Sequence, residues 1–275
     1  MVTGLRIMSF ALFSALFYII SILFIAPMLA KAQSGEQIQR PNKNWFILTA
    51  LFAVICHFIS LFPFFSNLFS GENFTLMEIG SLISVLIAIL ATVAIALKIK
   101  TFWFLLPIIY CFATINVTLA AFAPSHVIQN LAQDLGLLLH ILLAMFAYAV
   151  CFIAMLQSIQ LAWLDRKLKT KQMVISPLLP PLMMVERHFF RVMLSGEILL
   201  TLTLLTGAVY LADFFGNENI QKAIFSFLAW IVYAVLLIGH WKYRWRGKKM
   251  IIYTISGMIL LTIAYFGSRA MLGMN

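Results

Sequence analysis

The sequence predicts an all-α fold: a polytopic membrane protein built as a bundle of eight transmembrane helices, with both termini on the outer (periplasmic) side. Three observations carry this expectation. Hydrophobic residues make up 63% of the 275-residue chain and charged residues only 10%, against about 25% charged in a soluble domain. The apolar residues fall into runs long enough to cross a bilayer, which takes about 20 residues of helix. The basic residues collect on alternate connections between those runs, as the positive-inside rule requires.

The runs lie at approximately 5–29, 45–65, 77–97, 104–122, 135–163, 191–212, 223–241 and 251–271. The first carries Arg6 at its start and the second opens at Trp45, just past Lys43. The third lies between Glu78 and Lys98, and the fourth starts at Leu106-Pro107 beyond Trp103. The fifth stands between Asp134 and the polar run Asp165-Arg166-Lys167. The sixth opens at Arg191, the seventh closes at Trp241-Lys242, and the eighth follows Lys248-Lys249. Together they use most of the chain, which reads as one integral membrane domain over residues 1–275 with short loops. The exception is the connection at about 164–190, expected to face the cytoplasm, where Pro177, Pro180 and Pro181 forbid a continuous helix. Its end, Leu182 to Phe190, mixes apolar and charged residues in the manner of a short interfacial helix, or of a solvated connector.

Of the 19 Lys and Arg, only Arg6, Lys222 and Arg269 fall on connections assigned to the outer side. The net charge of +10 is therefore a topology signal and not a nucleic-acid footprint. Trp45, Trp103, Trp163, Trp241 and Trp245 fall near cytoplasmic span ends, so the basic aromatic stretch Trp241 to Lys249 is read as a membrane anchor able to meet anionic lipids. Ala30-Lys31-Ala32 mimics a signal cleavage site, but the preceding run exceeds the 7–15 residues of a signal core, and the first span is expected to be retained. Cys56, Cys111 and Cys151 all lie inside spans with no Cys-x-x-Cys spacing, as packing residues do.

Polar groups inside the spans are the candidate functional residues. His57, His140 and His240 stand in apolar runs, where imidazole needs a partner within the protein. Neutral imidazole is also a common ligand of iron. A rise of about 1.5 Å per residue puts His57 and His140 at similar depth in the outer half and His240 near the cytoplasmic face. One reading is structural hydrogen bonding, with Thr114, Asn116 and Thr118 of the fourth span available as partners. The other is ligation, with His57 and His140 as a pair. Glu197 is the carboxylate clearly inside a span, so it is either protonated or paired, with His240, Arg187 or Arg191 as partner.

The second half of the chain resembles the cytochrome c assembly family of polytopic membrane proteins, those related to CcsA, CcmC and HemX, and within it the YpjD-type inner-membrane members. The likeness is carried by Pro181-Leu182 with Glu186-Arg187, by Leu202 to Tyr210, by Ala229 to Tyr233 through to His240, by Trp245-Arg246-Gly247, and by Ala264 to Gly267. Leu139-His140-Ile141 and Tyr148 add to it; the first spans match more loosely, and the family core covers about 45–272. The resemblance implies haem as cofactor, with His140 and His240 as ligands and cytochrome c maturation components as partners in a bacterial inner membrane. No metal beyond haem iron and no catalytic residue is implied. Haem-handling members carry a tryptophan-rich outer motif, where this chain has Leu211 to Asn219 with Asp213 and no tryptophan.

The expected function is thus haem binding or handling in support of cytochrome c maturation or haem homeostasis, without enzymatic activity. His140 is the foremost ligand, with His240 and His57 as its partner or as a second site. Two other readings stand beside it. A proton- or small-molecule-coupled transporter would use Glu197 and the histidines. A membrane regulatory or scaffold protein would use the 164–190 loop and the end of the seventh span.

Overall fold

The computed structural model describes residues 2–34, 43–70, 74–122, 127–128, 135–170, 180–210 and 220–267. Nine α-helices are found among them, with a two-residue antiparallel strand pair, Phe74–Thr75 (β1) against Val127–Ile128 (β2). The helices are α1 (Val2–Ser34), α2 (Lys43–Ser60), α3 (Phe62–Ser70), α4 (Leu76–Ala96), α5 (Leu106–Phe122), α6 (Leu135–Lys169), α7 (Leu182–Tyr210), α8 (Ile220–Tyr243) and α9 (Lys248–Thr262). A π-helical turn, Ile263–Gly267, extends α9.

Six of these helices, with the turn that extends α9, are long and apolar enough to cross a membrane; α2 and α5 are shorter apolar helices. Their outward faces are apolar too. Leu12, Phe13, Leu16 and Leu23 of α1 are each at least half exposed. Water would not tolerate such a surface, whereas lipid chains solvate it.

Two expected boundaries move. The second span does not run unbroken to residue 65: α2 stops at Ser60 and α3 starts at Phe62. Pro63 explains the break, because it has no amide hydrogen to continue the ladder and its ring crowds the carbonyl one turn earlier. Conversely, Leu182–Phe190 is no separate interfacial helix but the first turns of α7. Pro180 and Pro181 stand just ahead of that helix, where a missing amide hydrogen costs nothing.

The chain packs as two units, Met1–Ala132 with Lys167–Pro181, and Gln133–Arg166 with Leu182–Asn275. In the first unit, α1 packs on α2 and α5, and α4 packs on α5 and α2, so each long helix touches two others. Ser81, Ser84, Ala88, Ala91 and Ile95 form a buried stripe along α4. Its residues recur every three or four positions, and the small ones let neighbouring backbones approach closely. Thr75 starts α4 with a capping box: its hydroxyl accepts from the Glu78 amide at 3.2 Å while Glu78 accepts from the Thr75 amide at 2.8 Å. In the second unit, α8 packs against α7, α9 and the π turn. Tyr233 of α8 lies directly over Gly257 of α9, where any side chain would strike its ring.

Candidate functional site

Four imidazoles lie in helices among the described residues, and the three expected as candidates, His57, His140 and His240, differ in their surroundings. His57 is fully buried among α1, α2 and α4. Its Nδ1 lies 3.3 Å from the Tyr18 hydroxyl and its Nε2 2.9 Å from Ser81 Oγ. Both ring nitrogens are therefore occupied by protein groups. The partners expected for it on the fourth span turn to their own helix instead. Thr114, Asn116 and Thr118 bond to backbone carbonyls four residues earlier in α5, at 2.7–2.9 Å.

His140, on α6, reaches across to α7. Its Nδ1 lies 3.0 Å from the Thr203 carbonyl and 3.1 Å from Thr206 Oγ1. A carbonyl only accepts, so Nδ1 carries the hydrogen and Nε2 keeps its lone pair. Nε2 has no hydrogen-bond partner among the described residues. The Thr203 carbonyl is also approached by Thr206 Oγ1 at 3.0 Å, which ties the anchor together.

His240 repeats the pattern near the end of α8. Its Nδ1 faces the Trp245 carbonyl at 3.4 Å, and its ring stacks on Phe190 of α7 with centroids 3.3 Å apart and planes 16° apart. Its Nε2 is likewise without a partner among the described residues. The turn that delivers Trp245 is built locally. Arg244 adopts a positive φ of 52°, its amide donates to the His240 carbonyl at 3.1 Å, and the Trp245 amide donates to the Gly239 carbonyl at 3.1 Å. The Trp245 indole then lies over Gly239, where a methyl group would collide with it. The Lys249 ammonium lies over the same indole, 4.7 Å from its centre.

His140 and His240 do not meet. They contact α7 at Thr203 and Phe190, thirteen residues apart, which is about 20 Å of helix. They belong to two levels of the same unit and cannot share one iron. His240 opens onto a cavity of about 350 Å³, also lined by Phe190, Trp241 and the arginines 187, 191 and 246. Glu186 takes Arg246 as a two-pronged ion pair, Nε to Oε1 at 2.7 Å and Nη2 to Oε2 at 2.6 Å. That contact holds the Arg246 guanidinium above its ordinary range, by hydrogen bonding first and charge second.

Glu197 is buried at 8% exposure, and neither of its oxygens has a hydrogen-bond partner among the described residues. The expected pairing with His240, Arg187 or Arg191 is therefore not made, since His240 turns to Phe190 and Trp245. Sequence reasoning misses the carbonyl anchors, the capping box and the Glu186–Arg246 pair. Of these, Thr-x-x-Glu at 75–78 is detectable as a capping signature. The stretch 211–219, with Asp213, lies outside the described residues. Among the described residues, no three His, Cys, Asp or Glu side chains gather to hold a metal ion.

Fold and site define a multi-pass membrane protein of packed helices, with two half-buried imidazoles that each turn one nitrogen to a backbone carbonyl. The model of the cytochrome c assembly protein family matches residues 44–275, and the chain belongs to that family. It is 41% identical over 261 residues to the inner membrane protein YpjD of Escherichia coli K12, covering 94% of this chain and 96% of that protein. An uncharacterised 28.8 kDa protein of Azospirillum brasilense is 28% identical over 55% of this chain and 57% of its own length. The cytochrome c biogenesis protein CcsA of Prochlorococcus marinus (strain MIT 9515) is 31% identical over 80 residues, 28% of this chain and 26% of CcsA. No solved structure matches. The chain is a multi-pass inner-membrane protein of the cytochrome c assembly type.

Proposed function

We propose that this protein binds haem through His140 and His240, at two separate levels of its second packing unit, in support of cytochrome c maturation or haem homeostasis. One observation carries the reading: in both residues Nδ1 is turned to a backbone carbonyl while Nε2 has no partner among the described residues. An imidazole held in that tautomer by an outer hydrogen bond is preorganised as a metal ligand. His57, with both nitrogens engaged, is assigned to the packing of the first unit. When bound, haem would supply an iron that the free Nε2 of His140 or His240 would hold.

The chain's own residues supply orientation. Thr203 and Thr206 fix the His140 ring, and Trp245 with Phe190 fixes that of His240. The reading extends to eight spans, the six long helices with α2 and α5 as thinner crossings, and to both termini on the outer side. It includes no catalytic step; family membership and the likeness to CcsA support the link to cytochrome c.

The test is purification in mild detergent after expression with ample haem, followed by an absorption spectrum. A Soret band that weakens in His140→Ala and again in His240→Ala, but persists in His57→Ala, is the expected result. A colourless, folded protein that takes up no added haem rejects the proposal.

A further inference from the structure

The cavity beside His240 carries positive charge that no carboxylate among the described residues fully balances. Arg187 and Arg191 stand one turn apart on α7, so both face the same side of the helix. Glu186 is the one carboxylate in the lining, and both of its oxygens are taken by Arg246. Both residues are exposed, and among the described residues neither guanidinium has a hydrogen-bond or ion-pair partner. Like charges at this spacing repel, which an anion between them would relieve. The remaining lining is apolar, with Phe190, Leu194 and Trp241 beside the guanidiniums.

Planar guanidinium matches carboxylate and phosphate oxygens two at a time, and apolar walls match the body such a group is attached to. We propose that this cavity seats an anionic amphiphile, with Arg187 and Arg191 gripping its carboxylate or phosphate oxygens while Phe190, Leu194 and Trp241 cover its apolar body. For the identity of that amphiphile the proposal rests on the haem reading, in which haem's two propionate carboxylates meet the arginines while its iron meets His240. The phosphate of an anionic phospholipid offers the same chemistry.

The test uses the full-length protein in neutral detergent, titrated with ferric haem and with its dimethyl ester, which lacks the carboxylates. In parallel, the protein is placed in nanodiscs of phosphatidylcholine with or without phosphatidylglycerol, and co-purifying lipid is counted by native mass spectrometry. Arg187→Gln/Arg191→Gln is compared with Lys98→Gln/Lys100→Gln, which removes equal charge from exposed positions outside the cavity.

Wild type is expected to bind haem about tenfold or more tightly than the ester. The difference should disappear in Arg187→Gln/Arg191→Gln and persist in Lys98→Gln/Lys100→Gln. If no protein binds haem, yet wild type retains phosphatidylglycerol and the double-arginine variant does not, the pocket stands with a phospholipid as occupant, and only the haem reading falls. Equal affinity of wild type for haem and ester, together with no preference for phosphatidylglycerol, overturns the proposal. So does a charge preference that survives loss of both arginines.

Discussion

The candidate imidazoles of the two packing units, His57 buried in the first and His140 and His240 half-buried in the second, teach opposite lessons. In the first unit His57 donates and accepts within the protein, closing a Tyr18–His57–Ser81 chain across three helices. In the second, His140 and His240 each commit one nitrogen to a carbonyl and keep the other. Apolar depth is common to all three and therefore says nothing about role. On the proposed reading, the number of nitrogens left over separates a packing histidine from a ligating one.

That contrast can be broken by substitution. The largest stability effect is expected for His57→Ala, which strips partners from two buried hydroxyls and opens a cavity, costing about 3 kcal/mol. Thermal unfolding in detergent measures it; a loss below that of an exposed control such as Trp45→Ala would contradict the packing role. Next is Gly239→Ala, which pushes the Trp245 indole off α8 and costs about 2 kcal/mol by overpacking. It should also lower haem retention at His240, read from the Soret amplitude in a His140→Ala background, while sparing His140, read in a His240→Ala background. Glu186→Gln frees Arg246 and should cost about 1 kcal/mol, because the pair is partly solvated. Thr206→Val is the smallest, about 0.5 kcal/mol, since the Thr203 carbonyl still anchors His140. A large loss of bound haem in Thr206→Val would show that the hydroxyl, and not the carbonyl, sets the tautomer.

The bundle is largely legible in the amino-acid sequence, because long apolar runs between charged ends leave a membrane chain few options. The eight expected runs correspond to α1, α2, α4, α5, α6, α7, α8 and α9. Pro63 is in plain view inside the second run, yet hydropathy does not register a lost amide hydrogen, so the break after Ser60 escapes it. The amphipathic start of α7 misleads in the other direction, its charged residues reading as an interface although they continue one helix. The residue types at the site are legible too, since histidine is conspicuous among Leu and Phe. Their partners are not. Whether an imidazole meets a serine or a carbonyl depends on how each helix is rotated against its neighbour, and Thr203 lies 63 residues from His140.

That separation has a consequence for the order of assembly. The carbonyl facing His240 lies five residues further along the same chain, within the turn that ends α8. Its geometry is a short-range property, available once that helix and turn have formed. The anchor of His140 waits for α7 to be synthesised and docked on α6. A growing chain therefore acquires the two carbonyl contacts by different routes, that of His240 with its own helix and turn and that of His140 by long-range closure.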